Sequence, residues 1–330
     1  MSHSKVTRED TNFLRFIAIV LILNSHLDRY YPIAHLGTGG SIGNSLFFML
    51  SSFGLFLSEK NKPNSLSTYY VKRITRIFPS VWVVLILLEL PLLVYTNRIY
   101  EYNLLSFLGN FFYPRFWFIQ ALMIYYFIGY FIIRKYDDKK TMLVALVLLV
   151  GYIIFYATYI DLSTFSVEKL PTDQFYYMGI FIFGIYLGSR NDKIKYDGVS
   201  DVIACLLILL AIYGHKYLML KGLYLQFQFI QQFLMFPLVF TLLKISRSSL
   251  VTNKLMNLTI LSYPINCISK STLEIYLVHT VLARLKIYSW FDFPLNVAAF
   301  LLLTFIFVVI VRELTRRTIK IFGELTILDA

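Results

Sequence analysis

Residues 141–160 read Thr-Met-Leu-Val-Ala-Leu-Val-Leu-Leu-Val-Gly-Tyr-Ile-Ile-Phe-Tyr-Ala-Thr-Tyr-Ile, twenty positions without a charge. Lys139 and Lys140 stand just before them and Asp161 just after. A helix rises about 1.5 Å per residue, so twenty residues span roughly 30 Å, the thickness of a bilayer's hydrocarbon core. The stretch therefore reads as a membrane span. Working outward, nine more apolar runs of similar length appear, roughly at 12–31, 42–59, 77–95, 113–133, 173–189, 199–217, 224–244, 271–289 and 294–312. Composition agrees: 58% of the 330 residues are hydrophobic and 15% charged, where a soluble domain carries roughly 25% charged residues. Mean hydropathy is +0.65. A soluble enzyme and a disordered chain are excluded. The expectation is an all-α integral membrane protein, a bundle of about ten spans over 1–330 with no appended soluble domain.

Charge sets the orientation. The net charge is +12, but the basic residues lie mostly in short loops between apolar runs, which points to membrane topology and not to a nucleic-acid surface. With the N-terminus in the cytoplasm and strict alternation, 22 of the 31 Lys and Arg fall in inside segments, 8 outside and Arg15 within a span. That asymmetry predicts ten spans with both termini cytoplasmic, in a cell (plasma or inner) membrane. No cleavable signal peptide is read at the first run, which carries Arg15 and lacks a small-residue cleavage site. Cys205 and Cys267 are isolated, with no metal-ligand spacing, and read as packing residues. No metal site is expected.

Ionisable groups at bilayer depth are costly, at least about 2.5–3.5 kcal/mol on insertion scales, and are functional candidates for that reason. Arg15, His26, Glu274 and His279 stand out, with Glu89 a weaker fifth. Arg15 and His26 are eleven positions apart; at about 100° per residue they share a helix face, roughly 16 Å apart along the axis. Asn24 and Ser25 add hydrogen-bonding groups beside His26. Arg15 could equally snorkel to the interface and His26 be a core histidine. His279 lies mid-way along the ninth span, with Glu274 and Tyr276 before it, and Glu274 could pair with Lys270. A neutral histidine at depth can take a proton from a hydroxyl. In Lys72-Arg73-Ile74-Thr75-Arg76, Arg73 and Arg76 would share a face if the third helix starts early, and guanidinium groups suit phosphates; a plain positive-inside anchor has the same sequence. Gly37-Thr38-Gly39-Gly40-Ser41-Ile42-Gly43 lacks the ending of a phosphate loop and reads as a flexible turn.

Five pieces, in order over residues 8–279, together resemble the membrane-integral acyltransferase 3 family. They are Arg15-x10-His26, Phe47-Phe48-Met49-Leu50-Ser51-Ser52-Phe53, Lys72-Arg73-Ile74-Thr75-Arg76-Ile77-Phe78-Pro79, Phe116-Trp117-Phe118-Ile119 followed by Tyr125 and Tyr126, and Ser271-Thr272-Leu273-Glu274-Ile275-Tyr276-Leu277-Val278-His279. Two positions depart from the family pattern: Ser52 stands where it has Gly, and Gln120 where many members have Glu. The resemblance implies transfer of an acyl group, usually acetyl from acetyl-CoA, to a hydroxyl of an envelope glycan or lipid-linked saccharide, with no permanently bound cofactor. It implies His26 as general base or acyl relay. His279 and Glu274 would form a second proton-handling pair or position substrate. Arg73, Arg76 and Arg15 would meet the donor, and Trp117 and Tyr276 the acceptor. Stacking on sugar by Trp117 or Tyr125 competes with simple packing, since aromatics fill and anchor membrane proteins. A transporter or flippase of a lipid-linked sugar would also need intramembrane His, Arg and Glu, though paired Gly/Pro-broken helices and inverted repeats are not evident.

Overall fold

A computed structural model describes residues 6, 8–96, 109–112, 114–163 and 172–328. Among these the fold is all helical. The main helices are α1 (Arg8–Ser25), α2 (Gly40–Asn61), α3 (Leu66–Val84), α4 (Leu90–Tyr95), α5 (Trp117–Lys135), α6 (Asp138–Tyr159), α7 (Thr172–Ser189), α8 (Val199–Leu220), α9 (Ile230–Ile245), α10 (Thr259–Lys270), α11 (Thr272–Leu282) and α12 (Leu295–Leu328). A π-helical turn, Leu85–Glu89, joins α3 to α4. Among the described residues, six helical stretches are long and apolar enough to cross a membrane: α2, α3 with its extension to Tyr95, α5, α6, α8 and α12. The chain is a multi-pass membrane protein resident in a lipid bilayer.

The charge-free stretch shows why. Asp137 caps α6 by accepting from the Lys140 N–H at 2.8 Å, which satisfies one of the first turn's open donors. The buried side chains of α6 are Thr141, Ala145, Leu149, Tyr152 and Tyr156, spaced four, four, three and four apart: one stripe. Leu143, Val147, Val150 and Ile154 face outward. In water such a surface would be an association hazard; in lipid it is the solvated face.

Two compact units are built from interleaved segments: residues 1–18, 41–63 and 123–269 form one, and 19–40, 64–122 and 270–330 the other. In the first, α6 packs on α7, α8 on α9 and α9 on α7. Ion pairs tie helix ends together: Arg190 to Asp138 at 2.7 Å, Lys244 to Asp197 and Asp201 both at 2.6 Å, and Arg134 to the buried Glu59 at 3.8 Å. The first two sets join the C-terminal ends of α7 and α9 to the N-terminal ends of α6 and α8, as antiparallel neighbours do, and the last joins the C-terminal ends of α5 and α2 to each other. Ser52 is buried and donates to the Met49 carbonyl at 3.0 Å. Opposite it, a Cβ on Gly184 would collide with Ser52 Oγ and the Met49 backbone. The glycine needed for close helix approach thus stands on α7, across from the serine, the small-residue contact favoured between membrane helices. Cys205 is buried and Cys267 partly so, with no disulfide among the described residues.

In the second unit, α3, α11 and α12 pack on one another. Ser80 of α3 bonds Glu274 of α11, and Glu89, at the end of the π turn, bonds Arg284 just past α11. Nine residues on one element match ten on the other, so α3 and α11 run in the same direction. Arg312 of α12 donates to Ser271 at 3.0 Å, and Asn296 to the Tyr30 carbonyl at 3.0 Å. The middle of α12 thus meets the start of α11, while α12 also packs on the Ile287–Ser289 turn beyond the end of α11, so α12 runs back antiparallel to it.

Several expected boundaries move. The first helix ends at Ser25 instead of near 31, so His26 lies in the turn beyond it. The third begins at Leu66, eleven residues before the expected start, with Ser65 as its cap. The ninth run contains an eleven-residue α-helix followed by 3₁₀ turns at Ala283–Leu285 and Ile287–Ser289. In the glycine-rich stretch, Gly40 opens α2 and the residues before it are tied to the end of α1. Asn24 Nδ2 donates to the Leu36 and Thr38 carbonyls at 2.8 and 2.9 Å. Gly39 has φ 102°, and a Cβ added there would lie only 2.8 Å from the Leu21 side chain.

Candidate active site

Within the second unit, the end of α1 and the middle of α11 bring two histidines together. Their ring centroids are 4.9 Å apart, with planes at 54°. His26 is held where α1 closes: its N–H donates to the Leu23 carbonyl at 3.0 Å, a tighter i→i−3 bond. Asn24 pins the following loop as described, and Tyr31 Oη donates to Asn24 Oδ1 at 2.7 Å. Asn24 and Ser25 therefore shape the turn; Ser25 Oγ is itself engaged with the Ile22 carbonyl at 2.7 Å. The His26 ring remains exposed, while His279 is fully buried.

His279 is held in one orientation. Its Nδ1 lies 2.8 Å from the Ile275 carbonyl, one turn back on α11. A carbonyl only accepts, so Nδ1 carries the proton, and in the neutral ring Nε2 is the basic nitrogen. That Nε2 is buried with no hydrogen-bond partner. Tyr276 packs edge-on against His279 at 5.6 Å, and Phe118 lies 5.1 Å from Tyr276. Together they set aromatic surface beside the buried histidine.

The other expected residues take varied places. Glu274 accepts from Ser80 Oγ at 2.9 Å and makes no ion pair with Lys270 among the described residues. Glu274 is not brought to His279: five residues along a helix place two side chains about 140° apart. Tyr276 is buried beside His279. Trp117 opens α5, half-buried, 6.0 Å from Phe118. Tyr125, in the other unit, is packed against Phe48 and Phe181 and donates to the Gln174 carbonyl, which is the packing role. Gln120 Nε2 donates to the Pro114 carbonyl at 2.9 Å, a bond an ionised glutamate could not make. Because α3 starts early, Arg73 and Arg76 both lie in helix, three apart. The Arg73 guanidinium sits 4.2 Å over the Tyr69 ring and donates to the Tyr69 carbonyl, and Arg76 is exposed. Arg15 is half-buried on the part of α1 that belongs to the first unit.

Sequence reading missed Ser80, the Ile275 carbonyl and the Glu89–Arg284 pair at 2.6 Å. Glu89 is visible as a charge in an apolar run; nothing in the sequence points to Arg284 as its partner.

The model of an acyltransferase domain matches residues 9–313, nearly the whole chain. The protein belongs to the acyltransferase 3 family. No curated protein and no solved structure matches the chain. As an acyltransferase 3 member it carries an acyltransferase-type domain that takes in the paired histidines, Tyr276 and Phe118 beside them, and the basic segment Lys72–Arg76.

Proposed function

We propose that this chain is a membrane-bound O-acyltransferase that moves an acetyl group from cytoplasmic acetyl-CoA to a hydroxyl of an envelope or exported glycan, free or lipid-linked. The observation that carries the reading is the contact between exposed His26 and buried His279 inside a family-matched membrane bundle. His26 is the group an acceptor can reach, and it acts as general base on the hydroxyl. His279 stands behind it. Glu274, fixed by Ser80, positions the start of α11. Arg73 and Arg76 sit at the entry of α3, where coenzyme A phosphates would meet guanidinium groups. Arg15 adds a further cation for the donor. Trp117, beside Phe118, offers a face to sugar.

The topology belongs to the same proposal. The shorter helices α1, α7, α9 and α11 complete the six long stretches to ten spans with both termini cytoplasmic. The parallel run of α3 and α11 supports it, since the third and ninth spans must share a direction.

The test is acyl transfer in isolated membranes supplied with labelled acetyl-CoA, with label counted in the glycan fraction. Wild type should incorporate label, and His26→Ala at equal membrane level should fall to background. Full activity in His26→Ala would remove His26 from the chemistry. Purified protein should also be thermally stabilised by coenzyme A; no shift, together with no transfer, would favour a transporter.

A further inference from the structure

We infer that the first unit carries a binding site of its own, a recess that takes a hydroxyl-bearing arm of a neutral saccharide. The recess lies where three helices begin. Ser41, Asp173 and Gln231 line it, and each is the second residue of its helix, α2, α7 and α9. Tyr176, Tyr177 and Gln232 continue its polar wall. All of these except Ser41 are buried; Ser41 is half-buried and marks the mouth. With its mouth the recess measures about 250 Å³, and its enclosed part has room for about one water-sized group. The wall is held in place. Tyr176 Oη and Ser45 Oγ share a hydrogen bond at 2.8 Å, and the rings of Tyr176 and Tyr177 lie 4.7 Å apart. Gln231 Nε2 donates to the Ile212 carbonyl at 3.2 Å, which leaves its amide oxygen as the end for a ligand. Polar side chains buried in a membrane bundle are costly where apolar ones would pack, and a few convergent polar groups in a preset recess between helices are the makings of a small-ligand site.

The chemistry of the wall selects the ligand. Among the described residues, none that lines the recess is Lys, Arg or His, and the Asp173 carboxylate would repel an anion. Three helix starts bring the positive ends of their dipoles to the same place, which disfavours a cation. A neutral group that both donates and accepts is what fits. A sugar O–H can donate to the Asp173 carboxylate or to Gln231 Oε1, while its oxygen accepts from the Gln232 carboxamide or the Tyr177 phenol. The enclosed space admits one such group, so a sugar enters by a hydroxyl or hydroxymethyl arm and keeps its ring at the mouth. The far ends of α7 and α9 carry the Arg190–Asp138 and Lys244–Asp201 pairs. Those ends are cytoplasmic in the topology proposed above, so the recess opens on the opposite side, where an exported glycan passes. The acyltransferase reading enters the inference only through that glycan and that side.

The test is protection of a thiol at the mouth. Ser41→Cys, in a Cys205→Ala, Cys267→Ala background, is purified in detergent and treated with a water-soluble maleimide. The probe is the glycan fraction of the cells that natively make the protein, freed of esters by mild base. At saturation it should slow labelling about tenfold, the result of a site about nine-tenths filled. Inorganic phosphate and choline, an anion and a cation at the same concentration, should slow it no more than buffer does. Asp173→Asn, which replaces the charged acceptor, should raise the glycan concentration for half-protection at least about tenfold. Equal labelling with and without glycan would overturn the inference, a result that stands even if Asp173→Asn fails to fold. So would protection by phosphate or choline in place of glycan, or protection that Asp173→Asn leaves unchanged. Protection by glycan in a protein that neither transfers label from acetyl-CoA nor is stabilised by coenzyme A would instead overturn the acyltransferase reading and leave the saccharide site standing.

Discussion

Helices α6 and α11 lie in runs that both read as membrane spans, the first free of charge and the second carrying Glu274 and His279, and they sit in different solvents. α6 buries one stripe and shows the rest to lipid. α11 buries every residue from Ile275 to His279, then Val281 and Leu282. Five consecutive buried positions cover more than a full turn, so protein surrounds α11. A histidine with an open nitrogen is tolerable there because neighbouring helices hold it, while the same group on the outer face of α6 would meet hydrocarbon. The difference teaches that hydropathy finds spans, and that ionisable residues within a span go with burial all round.

The contrast is broken most directly by truncation. Leu277→Ala, at a fully buried position on α11, should destabilise by about 2–5 kcal/mol through lost contacts and a residual cavity. Val147→Ala, on the outward face of α6, should cost under about 0.5 kcal/mol, since lipid or detergent fills the space. Thermal unfolding of both variants in the same detergent compares them. Equal shifts would mean that α11 is no more enclosed than α6.

A smaller effect is expected at the buried carboxylate beside α11. Removing one partner of a buried ion pair typically costs about 3–5 kcal/mol. Arg284 is nearly half exposed, so Arg284→Ala should cost nearer about 2 kcal/mol as the enclosed Glu89 loses its donor. The second change, Glu89→Leu in the Arg284→Ala background, should recover most of that. Failure of the double variant to recover in thermal unfolding would mean that the pair is not what joins the π turn to α11.

How much is legible in the sequence follows the same division. The α6 span is readable because twenty residues carry no charge and a capping Asp precedes them. Membership of the family is readable from motif order, and the two histidines are singled out as ionisable groups at depth. Their contact is not readable: 253 positions separate them, and no local spacing records which helices meet. The end of α1 escapes because Asn24 binds the following loop through backbone carbonyls, which hydropathy does not register. α10 escapes because its apolar residues are interrupted by Pro264 and polar side chains, so the segment reads as a loop. α12 runs on past its apolar stretch because Glu313 pairs with Arg316 and Arg317 at 2.8 and 2.9 Å, the i,i+3 and i,i+4 spacing that supports exposed helix.

The smallest of these effects tests whether the neighbours of α11 hold it in place or only cover it. Ser80 donates to Glu274 across to the start of α11, five residues before His279. If that bond only fills space, Ser80→Ala should lower stability by about 1 kcal/mol, the usual net value of one hydrogen bond, and leave transfer unchanged. If it sets the register of α11 against α3, the same variant should also lower the transfer rate several-fold at unchanged KM for acetyl-CoA. Ser80→Thr, which keeps the hydroxyl, should restore both. A rate loss that Thr does not restore would point to packing at Ser80 and would separate the carboxylate from the histidine pair altogether.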